Sequence, residues 1–265
     1  MTDPGISALA VPTWPATFTR IGVRLIFAGV VLAVLAALVN RFALLKALGA
    51  LGMLGVGFLT LAVGTLLAII GFFAANSRGV AISKGSAALA IVIALGVIGY
   101  LLSWVQTGRN VAMLHEVSTD LESPPPFVEI KKIRDAIPGL NPVEYVAEMP
   151  GRNGVINVPE QQRKFYPDLQ PLVLAVPPAE ALVKADAAAR KMGWEIVANA
   201  PADGRLEATD TTRFFGFKDD IVVRLRAEGS GTRVDVRSKS RVGLGDVGTN
   251  ARRVRAYLAA LRAQQ

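Results

Sequence analysis

The chain has 265 residues, 52% of them hydrophobic, and its mean hydropathy of +0.41 is too apolar for a wholly soluble protein. It has no cysteine, which excludes disulfides, thiolate zinc sites, iron–sulfur clusters and thiol nucleophiles, and leaves the redox compartment unread. The net charge of +8 divides unevenly, with seven Lys/Arg and one Asp (+6) in residues 1–109 against 22 Lys/Arg and 20 Asp/Glu (+2) in the remainder, so the basic residues flank apolar runs instead of forming a nucleic-acid footprint.

A proline-containing tail, residues 1–20, precedes a transmembrane region at 21–109 with spans predicted at about 22–40, 48–74 and 86–106. Arg20, Arg24 and Arg41 flank the first run, and the other two carry no charged side chain over lengths that cross a hydrocarbon core. Small residues recur at Gly29, Ala33 and Ala37, at Ala50, Gly57, Gly64 and Gly71, and at Ala90 and Ala94. Such seams permit close helix approach, within one bundle, between copies, or with another membrane protein. Arg24, Lys46, Arg78, Lys84 and Arg109 all lie at run ends, which argues against an ion path through the bilayer. Counting Arg20, Arg24, Arg78 and Lys84 on one side against Arg41, Lys46 and Arg109 on the other puts the N-terminus inside and the C-terminal half outside the cytoplasm.

Residues 110–128, with "HEVSTDLESPPPF", read as an extended proline-rich linker, and its His115, the only histidine, reads as a solvated residue without a second imidazole to share a metal. A soluble α+β domain is predicted over 129–265. Its first part is irregular, with turn signals in "IPGLNP" and "MPGRNG". From Pro171 the order is read as β-α-β-β-β-α, an antiparallel sheet with packed helices. Closing the last hairpin around Gly229 and Ser230 pairs Leu225 with Val234 and Val223 with Val236 on one face, and Arg224 with Asp235 and Asp220 with Lys239 on the other. Arg226 then meets Arg233, a like-charge pair near the turn.

"RVGLGDVGTN" contains Gly243, Gly245 and Gly248 in a G-x-G-x-x-G spacing. Only 17 residues follow Gly248 and the preceding strand belongs to an antiparallel hairpin, so no dinucleotide-binding unit fits. Asp246 reads instead as the N-cap of a closing helix that buries Val247, Ala251, Val254, Leu258 and Leu261 and exposes Arg252, Arg255 and Arg262.

"GRLEATDTTRFFGFKDDIVVRL", "TRVDVRSKSRVGLGDVGTNARRVRAYL" and the upstream "QQRKFYPDLQPLVL" closely resemble the domain of unknown function 1499 family, over about residues 111–263. The resemblance implies a bacterial envelope protein, with the C-terminal domain on the periplasmic side of the inner membrane. It implies no activity and no catalytic residue.

The chemistry-bearing residues are few. Asp210 shares the core side with Leu206 and Ala208, and Ser238 and Ser240 continue the inward face of Val234 and Val236, so one end of the sheet interior is polar. Arg213, Arg237 and Arg241 are candidate partners for Asp210. The group serves either to fix the "TTRFFGF" loop or as a small anionic or lipid ligand site. Asp219 and Asp220 are adjacent and point to opposite faces, which rules out a paired acid and base; Phe214, Phe215 and Phe217 read as core. No catalytic, cofactor or metal residue is assigned, and the expected partner is the bilayer. The function read from these features is a membrane-anchored binding or envelope-organising module, with a carboxylate/arginine enzyme as the alternative and a transporter subunit third.

Overall fold

In the computed structural model, residues 12–42, 47–109, 111–151, 154–213 and 215–264 are described. The chain divides into two units, Met1–Val105 and Gln106–Gln265.

The apolar runs form α1 (Trp14–Arg41), α2 (Ala47–Ser77) and α3 (Lys84–Arg109), three helices long and apolar enough to cross a membrane. A Cβ added at Gly29 would lie 2.7 Å from the Gly57 carbonyl oxygen, and one at Gly64 would lie 2.7 Å from the Ile26 nitrogen. Gly22 meets Gly64, Gly29 meets Gly57, and Ala36 and Ala50, next in both series, are fully buried. The seam on α1 thus runs through Gly22, Gly29 and Ala36. The four-residue series keeps Ala33 beside Gly57 but ends on a half-buried Ala37, next to the fully buried Ala36, because a four-residue step rotates around the helix faster than a seven-residue repeat, which stays on one side. Ala90 and Ala94 of α3 pack with Ile26, Leu61 and Ala68, as their spacing suggests.

The second unit is built on β1 (Glu116–Ser118), β4 (Leu172–Leu174), β5 (Glu195–Ala200), β6 (Arg205–Thr211), β7 (Lys218–Glu228) and β8 (Gly231–Ser240), in the order β1-β8-β7-β6-β5 with β4 also on β8. A separate hairpin joins β2 (Glu148–Gly151) and β3 (Gly154–Asn157). The helices are α4 (Glu129–Asp135), α5 (Val158–Phe165), α6 (Pro178–Lys191) and α7 (Thr249–Arg262). The β7–β8 register is the predicted one throughout, including the Arg226–Arg233 pair. The order read from the sequence is one strand short, since four strands, β5 to β8, separate α6 from α7.

The predicted linker is not a linker. Its residues Glu116–Ser118 pair antiparallel with Arg237–Lys239, while β4 pairs with Thr232–Val234 further along the same edge. Between them Thr119 closes the gap, accepting from Val236 N and donating to Val236 O, both at 2.9 Å. The polar composition of 110–128 looked solvated because Glu116, Thr119 and Asp120 find partners, Arg237, Val236 and Arg224, far away in sequence.

One sheet face carries Leu206, Ala208, Ile221, Val223, Leu225, Val234 and Val236 and packs with α6 and α7 through Ala181, Ala185, Ala251, Val254, Tyr257 and Leu258. The other face is covered as well: Phe127, Ile130 and Val143 close over Val222. This second covering is what makes the charged residues of that face interesting.

Candidate functional site

Strand alternation puts Asp235, Arg237, Lys239 and Arg241 of the β8 stretch on one face, with Asp220 on β7 and Glu207 and Thr209 on β6. Each of them is at most 9% exposed. Charged groups out of water persist only when paired and hydrogen-bonded. Glu116, brought in by β1, accepts from Arg237 Nε at 3.1 Å, Arg237 Nη2 at 2.8 Å and Lys239 Nζ at 2.9 Å. Arg237 donates further to the carbonyls of Val143 and Pro125, and its guanidinium lies 4.9 Å from the Phe127 ring centre and 5.6 Å from that of Tyr145. Asp220 accepts from Arg241 Nη2 at 2.8 Å, Thr209 Oγ1 at 2.8 Å and Arg134 Nη1 at 3.3 Å. Glu207 accepts the first amides of α4, from Val128, Glu129 and Ile130, at 2.8, 3.2 and 2.8 Å, and pairs with Arg205. A sheet carboxylate thereby does for α4 what an N-cap side chain does for an isolated helix.

The charges at the heart of this layer do not balance. Glu116 and Asp220 are two carboxylates, and they face four cations, Arg134, Arg237, Lys239 and Arg241. Burial pushes the Lys239 ammonium down to about 8, with Arg237 and Arg134 adding to the effect against the opposing pull of Glu116. His115, read as solvated, is 5% exposed, and neither ring nitrogen has a hydrogen-bond partner among the described residues. Burial, then Lys239, lowers its imidazole to about 4, so the ring is neutral at physiological pH. Arg134 Nε and Tyr145 Oη are likewise buried without partners among the described residues.

On the opposite face, Arg253 of α7 donates to Asp210 at 2.8 Å and to Asp219 at 2.6 Å, and to Asn250 and Ser238 beside them. The polar end of the sheet interior expected from Asp210, Ser238 and Ser240 is therefore present. The candidate quartet is not one cluster: Asp210 faces α7, Arg237 and Arg241 lie on the other side of the sheet, and Arg213 is exposed in the turn after β6. Asp219 and Asp220 do point to opposite faces, but Asp220 is held by Arg241 and Arg134, not by its cross-strand neighbour Lys239. Phe215 and Phe217 stack at 5.7 Å and are half-buried, not core; Phe214 lies outside the described residues. The closing helix starts three residues after Asp246, because Val247 and Gly248 take left-handed conformations at φ 53° and 74°. Asp246 still satisfies its free amides, accepting from Gly248 N at 2.8 Å and Asn250 N at 2.5 Å.

Glu116, Arg134 and Arg253 escaped the sequence reading, and Lys239 entered it only as the cross-strand neighbour of Asp220. The stripe Asp235, Arg237, Lys239, Arg241 at every second position was the available signal: a strand face with four charges and no apolar residue needs a polar cover.

Residues 116–261 match the family model described as protein of unknown function (DUF1499), a match that begins at the first residue of β1. No curated protein matches the chain.

Proposed function

The chain belongs to the DUF1499 family of proteins of unknown function, and from that premise we propose, on its own side chains, a membrane-anchored protein whose C-terminal domain is a binding or envelope-organising module instead of an enzyme. One observation carries the reading. The sheet carboxylates Glu116, Glu207, Asp219, Asp220 and Asp235 are each at most 4% exposed and each is held by an arginine or lysine. General acid or base catalysis needs a carboxyl group within reach of a substrate proton, and these are committed to the protein interior.

The flanking charges support a domain outside the cytoplasm, at the periplasmic face of a bacterial inner membrane. The glycines left open, Gly52 and Gly55 on α2 and Gly96 and Gly99 on α3, leave room for self-association or another membrane protein as partners. The test is co-purification of the tagged full chain in native membrane discs, with an unrelated three-span protein as control. A lipid, glycan or protein enriched over that control supports the module. Recovery of nothing above control overturns it.

A further inference from the structure

The unbalanced layer on the sheet's second face asks for a negative partner. Four cations and two carboxylates share a region in which Arg134, Arg237, Lys239, Glu116 and Asp220 are at most 3% exposed. Surplus buried charge is costly unless something neutralises it. Beside it stand polar atoms without acceptors: Arg134 Nε, which only donates, and His115, whose neutral ring carries one N–H. Tyr145 Oη, whose ring lies on the Arg237 guanidinium, is a third such group. A water molecule would satisfy these donors and leave the charge untouched. An anion does both.

We propose that His115, Arg134 and Lys239 form a receptor for a small anion, chloride, phosphate or a simple carboxylate. It rests on the reading of this domain as a binding module and names the chemistry of one ligand. The other charges nearby do not fill the role: Glu207 and Asp235, buried on the same face, are taken up by Arg205 and by Arg224, Arg226 and Arg233. Asp210, Asp219 and Asp246 outnumber Arg253 on the opposite sheet face, but the backbone of the sheet separates them from these donors, and Coulomb attraction falls with distance. Glu144 reaches Lys239 through its carbonyl oxygen at 2.8 Å, while its carboxylate is exposed and holds Lys131.

The experiment uses the full chain in detergent with Trp14→Phe and Trp104→Phe, so that Trp194, buried and stacked on Tyr257 at 4.8 Å, alone reports unfolding of the domain. Sodium chloride, phosphate and acetate are titrated separately at constant ionic strength maintained with isethionate. The expected result is a saturating rise in the unfolding midpoint of about 4 °C or more with at least one anion. Lys239→Met and Arg134→Met should abolish it. Both variants should fold, since Glu116 keeps Arg237 and Asp220 keeps Arg241. Retention of about one radiolabelled chloride or phosphate per wild-type chain is the second measurement, and it holds whether or not the variants fold. Midpoints that do not change with the anion, or that rise without saturation and equally in wild type and variants, overturn the receptor. If partners still co-purify in that case, the module stands and the anion site alone falls.

Discussion

Asp219 and Asp220 are neighbours in the chain and strangers in the fold, one held by Arg253 under α7 and the other by Arg241 and Arg134 under α4. Removing a cation from such a pair leaves a buried carboxylate alone. Arg253→Met should therefore destabilise the domain by about 3–5 kcal/mol. Asp210→Ala should cost about 1 kcal/mol or less, because that side chain is 28% exposed and Arg253 keeps Asp219. Urea unfolding followed by Trp194 fluorescence measures both, and equal costs would contradict the arrangement. His115 carries a pH signature of defined sign. The unfolded imidazole takes up its proton near 6.5 and the folded one only at about 4, so stability falls as pH drops through that window, by at most about 1.4 kcal/mol per pH unit. His115→Met should flatten that slope in unfolding midpoints measured from pH 7 to 4. An unchanged slope would mean that the ring is not held neutral.

Among the elements, the α1–α2 pair is the one whose contact follows most directly from spacing. Small residues every seven positions on both helices bring the backbones together in antiparallel register, with Gly22 on Gly64 and Gly29 on Gly57. Because the chain has no cysteine, Ala36→Cys with Ala50→Cys is a clean probe. Oxidation in membranes should cross-link this pair efficiently, and Gly57→Leu should lower the yield several-fold by forcing the helices apart. The β7–β8 hairpin was legible for a related reason: its register is set by a short turn and by matching apolar positions, all within the stretch itself. The β1 strand was not legible. Three residues of mixed polarity have no periodicity of their own, and only the free edge of β8, more than a hundred positions later, makes them a strand.

At the scale of the whole molecule, an apolar helical unit precedes a domain whose sheet is covered on both faces, and the orientation proposed for it makes a direct prediction. Alkaline phosphatase fused after Gln265 should be active and a green fluorescent protein fusion at the same point dark; the reverse pattern would place the domain in the cytoplasm. The amino-acid sequence by itself determined the three long apolar helices, the hairpin register and the polar end of the sheet interior, and it placed the start of the closing helix to within three residues, because each depends on composition, period or spacing within a short window. Tertiary structure alone decided that residues 110–128 belong to the domain, that His115 is buried, and that Arg237 and Arg241 serve Glu116 and Asp220 instead of Asp210. Alternation along a strand says that a side chain lies on a given face, but a partner across a sheet comes from whichever distant segment covers that face, and no local pattern records which one that is.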